Sequence, residues 1–70
     1  MKIAILGAGN MGGAIARGLA QGGLVATKDI TVTNPSVGKL DKLKAEYPEI
    51  NVSTDNSVAS EADMVIIAVK

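Results

Sequence analysis

Three features of this 70-residue sequence predict a doubly wound α/β fold with a mostly parallel sheet. Short runs rich in β-branched residues alternate with stretches whose apolar residues recur every three or four positions. The first and last of these runs, residues 2–6 and Met64 to Val69, are apolar on both faces, as strands buried inside a parallel sheet are. The first run also leads straight into Gly7-Ala8-Gly9-Asn10-Met11-Gly12, a G-x-G-x-x-G turn that opens a helix.

In that turn each glycine has its own task. Gly7 permits a tight exit from the strand, Gly9 leaves bare backbone where a pyrophosphate would lie, and Gly12 lets the helix approach the sheet. An anion placed there meets unpaired N–H groups at the positive end of the helix dipole. The motif alone is a weak signal, and a glycine-rich turn that binds nothing is the bland alternative. The strand before it, the helix after it and a second strand ending about twenty residues further on favour a dinucleotide-binding unit of the Rossmann kind.

The remaining elements follow in order. From Asn10 to about Gln21, Met11, Ala14, Ile15 and Leu19 make an apolar stripe, with Asn10, Arg17 and Gln21 opposite. Gly13 and Gly18 each cost this helix about 1 kcal/mol relative to alanine, so close packing on the sheet is expected at both. Gly22-Gly23 stops the helix. Leu24 to Asp29 is a connecting loop, and Ile30-Thr31-Val32-Thr33-Asn34 is a second strand closed by Pro35. Between Ser36 and Tyr47, one helical stripe carries Val37, Leu40, Leu43 and Tyr47, and the other face carries Lys39, Lys42 and Glu46. Pro48 ends this helix. Ile50 to Ser53 is a short third strand, Thr54 or Asp55 caps a brief helix to about Glu61, and Met64 to Val69 is the fourth strand. This β-α-β-α-β-α-β order with right-handed crossovers gives the strand order 3-2-1-4, with helices on both faces.

Composition narrows the function. Seven basic and seven acidic residues are interspersed and sum to zero, so neither nucleic acid nor an anionic membrane is an expected partner. With no cysteine and no histidine, disulfides are impossible and a transition-metal site is not expected. No apolar run is long enough for a signal peptide or a membrane span, and the chain reads as soluble and cytoplasmic. Tyr47 is the only aromatic residue, so the core is thin and aliphatic. The sequence stops at Lys70 directly behind an apolar strand; residues 1–70 are therefore expected to be the N-terminal part of a dinucleotide-binding domain in a longer protein.

Outside the glycine turn, Asn34 ends the second strand where an NAD enzyme usually carries a carboxylate for the ribose hydroxyls. Without that charge, a 2′-phosphate is not repelled, and Ser36 with the following helix start offers uncharged donors. An Asn-Pro-Ser turn chosen for geometry alone is the competing reading, and Lys39 either adds a charge there or, as a lysine on the polar face of a helix, is merely solvated. Asp55-Asn56-Ser57 is a helix-capping cluster. No histidine, cysteine or paired carboxylates converge, so no catalytic residue is expected within these 70 residues.

The run from Met1 to Leu19, with its Gly-Ala-Gly-Asn-Met-Gly turn, resembles the start of pyrroline-5-carboxylate reductases. Asp55-Asn56 and Ala62 to Lys70, with the ending Ala68-Val69-Lys70, resemble that family's third and fourth segments. The resemblance implies that the complete protein reduces 1-pyrroline-5-carboxylate, its small-molecule substrate, to proline with NADP(H), NAD being the alternative cofactor. By the same resemblance Leu6, Gly7, Ala8, Gly9, Asn10, Met11 and Gly12 hold the pyrophosphate, and Asn34 and Ser36 the adenosine ribose. Asn56 then lies at a ribose, and Ala68, Val69 and Lys70 at the nicotinamide side. A helical C-terminal domain would complete the substrate site and form a homo-oligomer. One departure stands out: many members have an arginine where this chain has Pro35, which argues against tight NADPH selectivity. β-Hydroxyacid dehydrogenases and coenzyme F420-dependent NADP reductases share a similar turn, and a non-catalytic NAD(P)-sensing module is the reading from another class.

Overall fold

The computed structural model describes residues 1–23 and 25–68, apart from the Asn10 side chain. Strands β1 (Ile3–Leu6), β2 (Ile30–Thr33), β3 (Asn51–Ser53) and β4 (Met64–Ile67) alternate with helices α1 (Asn10–Gly22) and α2 (Val37–Glu46). Short 3-10 helices span Thr27–Asp29 and Asn56–Glu61. Every strand pair is parallel and the order is β3-β2-β1-β4, as the alternation of elements predicts. The register sets Ile3 beside Ile30 and Ile5 beside Val32, with Val52 and Ile66 flanking at the same level.

Because side chains alternate along a strand, Ile3, Ile5, Ile30 and Val32 share one face of the sheet. Ala16 of α1 and Leu40 and Leu43 of α2 close over that face together with Ile50, and all of these side chains are buried. Each fully buried Leu or Ile contributes about 1.5–3 kcal/mol relative to its exposed state, and this aliphatic layer is the core.

The stripe of α1 differs from the one expected. Met11 is 67% exposed and Ala14 is also exposed, while Ala16 is fully buried with Ile15, Leu19 and Ala20 partly buried beside it. The small residues Gly12 and Ala16 face the sheet, so the helix lies close and rotates Met11 outward. Gly18 is also exposed, with no atom near the place a Cβ would take, so close packing is not its reason. On α2, Leu40, Leu43 and Tyr47 pack inward as expected, but Val37 in the first turn is 59% exposed. Gly23 stops α1 in the left-handed conformation at φ 71°.

The opposite face, to which Ala4 and Thr31 belong, is crossed by the 3-10 helix Asn56–Glu61 instead of an α-helix. Among the described residues both α-helices pack on the first face, and the brief helix expected up to Glu61 covers the other as this 3-10 turn, so helices lie on both faces but unequally. Consequently β4 is not buried on both sides: Met64, Val65 and Ile67 are 47, 44 and 69% exposed. The predicted continuation of β4 into Val69 lies outside the described residues, as does Leu24 of the first loop.

Candidate dinucleotide site at the strand ends

The carboxyl ends of β1, β2 and β4 converge on the glycine turn. Gly7 sits at φ 111°, a conformation L side chains rarely adopt, and its N–H donates to the Thr33 carbonyl at 2.7 Å. That bond ties the exit of β1 to the end of β2. A Cβ on Gly12 would collide with the Gly7 carbonyl and lie 3.4 Å from the Ala68 methyl. Gly12 therefore fixes how closely α1, β1 and the end of β4 approach. Ala68 is secured in turn, its N–H donating to the Leu6 carbonyl at 2.9 Å.

Gly9 is different. A Cβ built there would have as its nearest neighbour only Lys39 Nζ, at 4.0 Å. Gly9 precedes α1 in extended conformation and has no side chain with which to cap it, and the first turn of α1 carries no acidic residue. The helix thus presents its first N–H groups and positive dipole end beside bare backbone, an arrangement that fits a pyrophosphate.

Asn34 lies just beyond β2, and its amide is used at both ends. Oδ1 accepts from Ala8 N–H at 3.1 Å, and Nδ2 donates to the Ser36 carbonyl at 3.0 Å. Ser36 is exposed and precedes α2, but its hydroxyl forms no capping bond. Asn56 accepts from the hydroxyl of Thr33, a fully buried polar residue, at 2.6 Å. Asp55 caps the 3-10 helix through Ser57 N–H at 2.9 Å, and that bond lowers its carboxyl pKa from the ordinary value. Leu6 to Gly12, Asn34, Asn56 and Ala68 are thus drawn to one end of the sheet, with Ser36 beside Asn34. Val69 and Lys70, placed by the resemblance at the nicotinamide side, lie outside the described residues.

Three further residues of this region stand out only in the structure. In the sequence Thr33 is only a strand residue, yet its hydroxyl orients Asn56. Arg17 and Lys42 fall on the polar faces of their helices, and both line a recess of about 240 Å3 with Ala8, Gly9 and Lys39. Arg17 reaches across from α1 to α2, donating from Nε and Nη2 to the two Glu46 carboxylate oxygens at 2.9 Å each. The bond raises the guanidinium pKa and lowers that of Glu46, with the charge of Lys42 adding to the second effect. Gly13 makes room for it, since a Cβ there would stand 2.9 Å from Arg17 Nη1. A larger recess of about 310 Å3 lies beneath the 3-10 helix, lined by Lys2, Lys28 and Asp29 near the amino ends of β1 and β2. Ligands of open α/β sheets bind at the opposite, carboxyl end.

A parallel 3-2-1-4 sheet with a glycine turn at the carboxyl end of its first strand defines a Rossmann-like, dinucleotide-binding class of α/β unit. Within that class the chain belongs to the NADP oxidoreductase, coenzyme F420-dependent family, whose model matches residues 2–70. It is 41% identical over 69 residues to a pyrroline-5-carboxylate reductase of Vibrio alginolyticus, covering 99% of this chain and 25% of that protein. A pyrroline-5-carboxylate reductase of Methanosarcina acetivorans is 40% identical over 70 residues, 99% of this chain and 26% of the relative. ComE operon protein 4 of Bacillus subtilis is 32% identical over 71 residues, 100% of this chain and 26% of that protein. The solved structure of a pyrroline-5-carboxylate reductase from Coxiella burnetii superposes with a TM-score of 0.88 at 36% identity, over 97% of this chain and 25% of that one. The chain thus spans about a quarter of the length of the relatives it matches.

Proposed function

We propose that residues 1–70 are the N-terminal, NADP(H)-holding part of a pyrroline-5-carboxylate reductase, NAD(H) being the alternative cofactor. The observation that carries this reading is the 41% identity that runs over nearly the whole chain to a protein of that name. The site chemistry supports it. Leu6 to Gly12 hold the pyrophosphate against bare backbone, with the first N–H groups of α1 aimed at it. Asn34 keeps the turn in shape through Ala8 N–H, and it and Ser36 border the adenosine ribose. Asn56 stands at a ribose, oriented by Thr33, and Ala68 stands toward the nicotinamide side, to which the resemblance also assigns Val69 and Lys70. When bound, NAD(P)H supplies the hydride for the substrate C=N carbon, the nitrogen taking up a proton. Substrate-binding groups belong to a helical C-terminal domain, which also forms the homo-oligomer. The test is oxidation of NADPH and of NADH by the full-length protein with 1-pyrroline-5-carboxylate. Turnover with proline as product supports the reading, and no turnover at saturating nucleotide and substrate rejects it.

The family description supports a second reading, hydride exchange between NADP(H) and coenzyme F420. It predicts reduction of NADP by reduced F420 in the same preparation, and inertness toward the cyclic imine.

A further inference from the structure

A single buried residue at the end of β2 serves two parts of the candidate site at once. Thr33 is fully buried, its carbonyl accepts from Gly7 N–H at 2.7 Å, and its hydroxyl donates to Asn56 Oδ1 at 2.6 Å. The first bond holds the exit of the glycine turn, and the second holds the residue that opens the 3-10 helix behind β3. The backbone repeats this join at the next residue, where Asn34 N–H donates to the Ser53 carbonyl at 3.2 Å. Thr33 therefore touches both the turn on which a pyrophosphate would rest and the amide that stands at a ribose, and neither contact involves a charged group.

The hydroxyl also fixes which way the Asn56 amide points. A buried hydroxyl proton needs an acceptor, and among the described residues Asn56 Oδ1 is the one it meets. The reversed amide would use the hydroxyl as an acceptor and leave its proton unpaired. Oδ1 thus faces inward, and Nδ2 is left as a donor on the outer side of an exposed residue. From this geometry we propose that Thr33 is a positioning residue of the nucleotide site: it holds the Asn56 amide with Nδ2 toward a ribose hydroxyl oxygen, at a separation from the glycine turn that its own carbonyl sets. An amide already ordered in the free protein loses little side-chain freedom when the nucleotide arrives, and one released from Thr33 loses more. The oxygen it meets is uncharged and common to NADP(H) and NAD(H), so Thr33 governs the affinity for both and selects between neither.

This inference rests on the nucleotide-binding reading above, and the experiment separates the two. NADPH and NADH are titrated into the full-length protein, into Thr33→Val, Thr33→Ser and Asn56→Ala, and into Thr33→Val combined with Asn56→Ala, with folding checked by circular dichroism. Thr33→Val keeps the branched shape and removes the hydroxyl; it is expected to weaken both nucleotides by the same factor, about threefold to tenfold. Thr33→Ser, which keeps the hydroxyl, should hold both within about twofold of wild type. With Asn56→Ala already present, Thr33→Val should change nothing further, because the amide through which it acts is gone. Where Thr33→Val does not fold, Thr33→Ala takes its place in this double-mutant cycle, and failure of both to fold shows that the hydroxyl serves the fold and overturns the proposal. Undiminished affinity in Thr33→Val, a loss confined to one nucleotide, or an equal loss with and without the Asn56 amide also overturns it while leaving the dinucleotide site intact. A wild-type protein that binds neither nucleotide overturns the nucleotide reading and this inference with it.

Discussion

Asn34 joins two turns through one side chain, accepting from Ala8 N–H and donating to the Ser36 carbonyl. Only one orientation of the amide satisfies both partners. Asn34→Asp keeps the acceptor but turns a carboxylate oxygen toward a carbonyl, and it is expected to cost about 1–2 kcal/mol, read as a lower denaturant midpoint with an unchanged slope. Equal stability of the two proteins would show that the Ser36 contact contributes nothing. The glycines give a sharper contrast. Gly9→Val meets only the flexible end of Lys39, so the protein should stay folded by circular dichroism and lose nucleotide binding. Gly12→Ala drives its methyl into the Gly7 carbonyl, so the fold itself should fail. A folded Gly12→Ala protein, or a Gly9→Val protein of unchanged affinity, would contradict these assignments.

At the level of the element, α1 is built around small residues on its inner face and tolerates glycine on its outer face. Gly12 and Ala16 set its distance from the sheet, and Gly13 leaves the space that the Arg17 guanidinium fills on its way to Glu46. Gly18 has no such neighbour and is exposed. Gly18→Ala should therefore stabilise the protein by about 0.5–1 kcal/mol, through higher helix propensity and a less flexible unfolded chain. Thermal unfolding measures it, and a lowered Tm would show that Gly18 has a packing role.

Over the whole molecule, two exposed carboxylates link folding to pH. Glu46 is held below its ordinary pKa by its hydrogen bond with Arg17, and Asp55 by the Ser57 N–H. A group whose pKa is lower when folded contributes stability above its unfolded value and loses it as pH falls through the folded one. Stability should thus decline as the solution is acidified from about pH 4.5 downward. Asp55→Asn keeps a capping oxygen but no ionisable group, and with Glu46→Gln it should flatten that acid limb of the denaturation profile. An acid limb identical to wild type in the double variant would place the linkage elsewhere.

The order of elements, the parallel sheet in the sequence 3-2-1-4 and the position of the glycine turn were legible from the chain alone. They depend on local periodicity, on runs of β-branched residues and on glycine, whose effects act within a few neighbours. The outward-facing Met11 and Val37 were not legible, because the rotation of a helix against a sheet depends on which of its residues are small enough to approach. The exposure of β4 had a similar origin: an apolar run looks the same whether or not another layer covers it. Tertiary structure alone decided that Arg17 would meet Glu46 across 29 positions of sequence, that Thr33 would orient Asn56, and that Lys39 and Lys42 would line one recess with Gly9. Contacts between residues so far apart are set by how α1 and α2 lie side by side on the sheet, and no spacing along the chain encodes that distance.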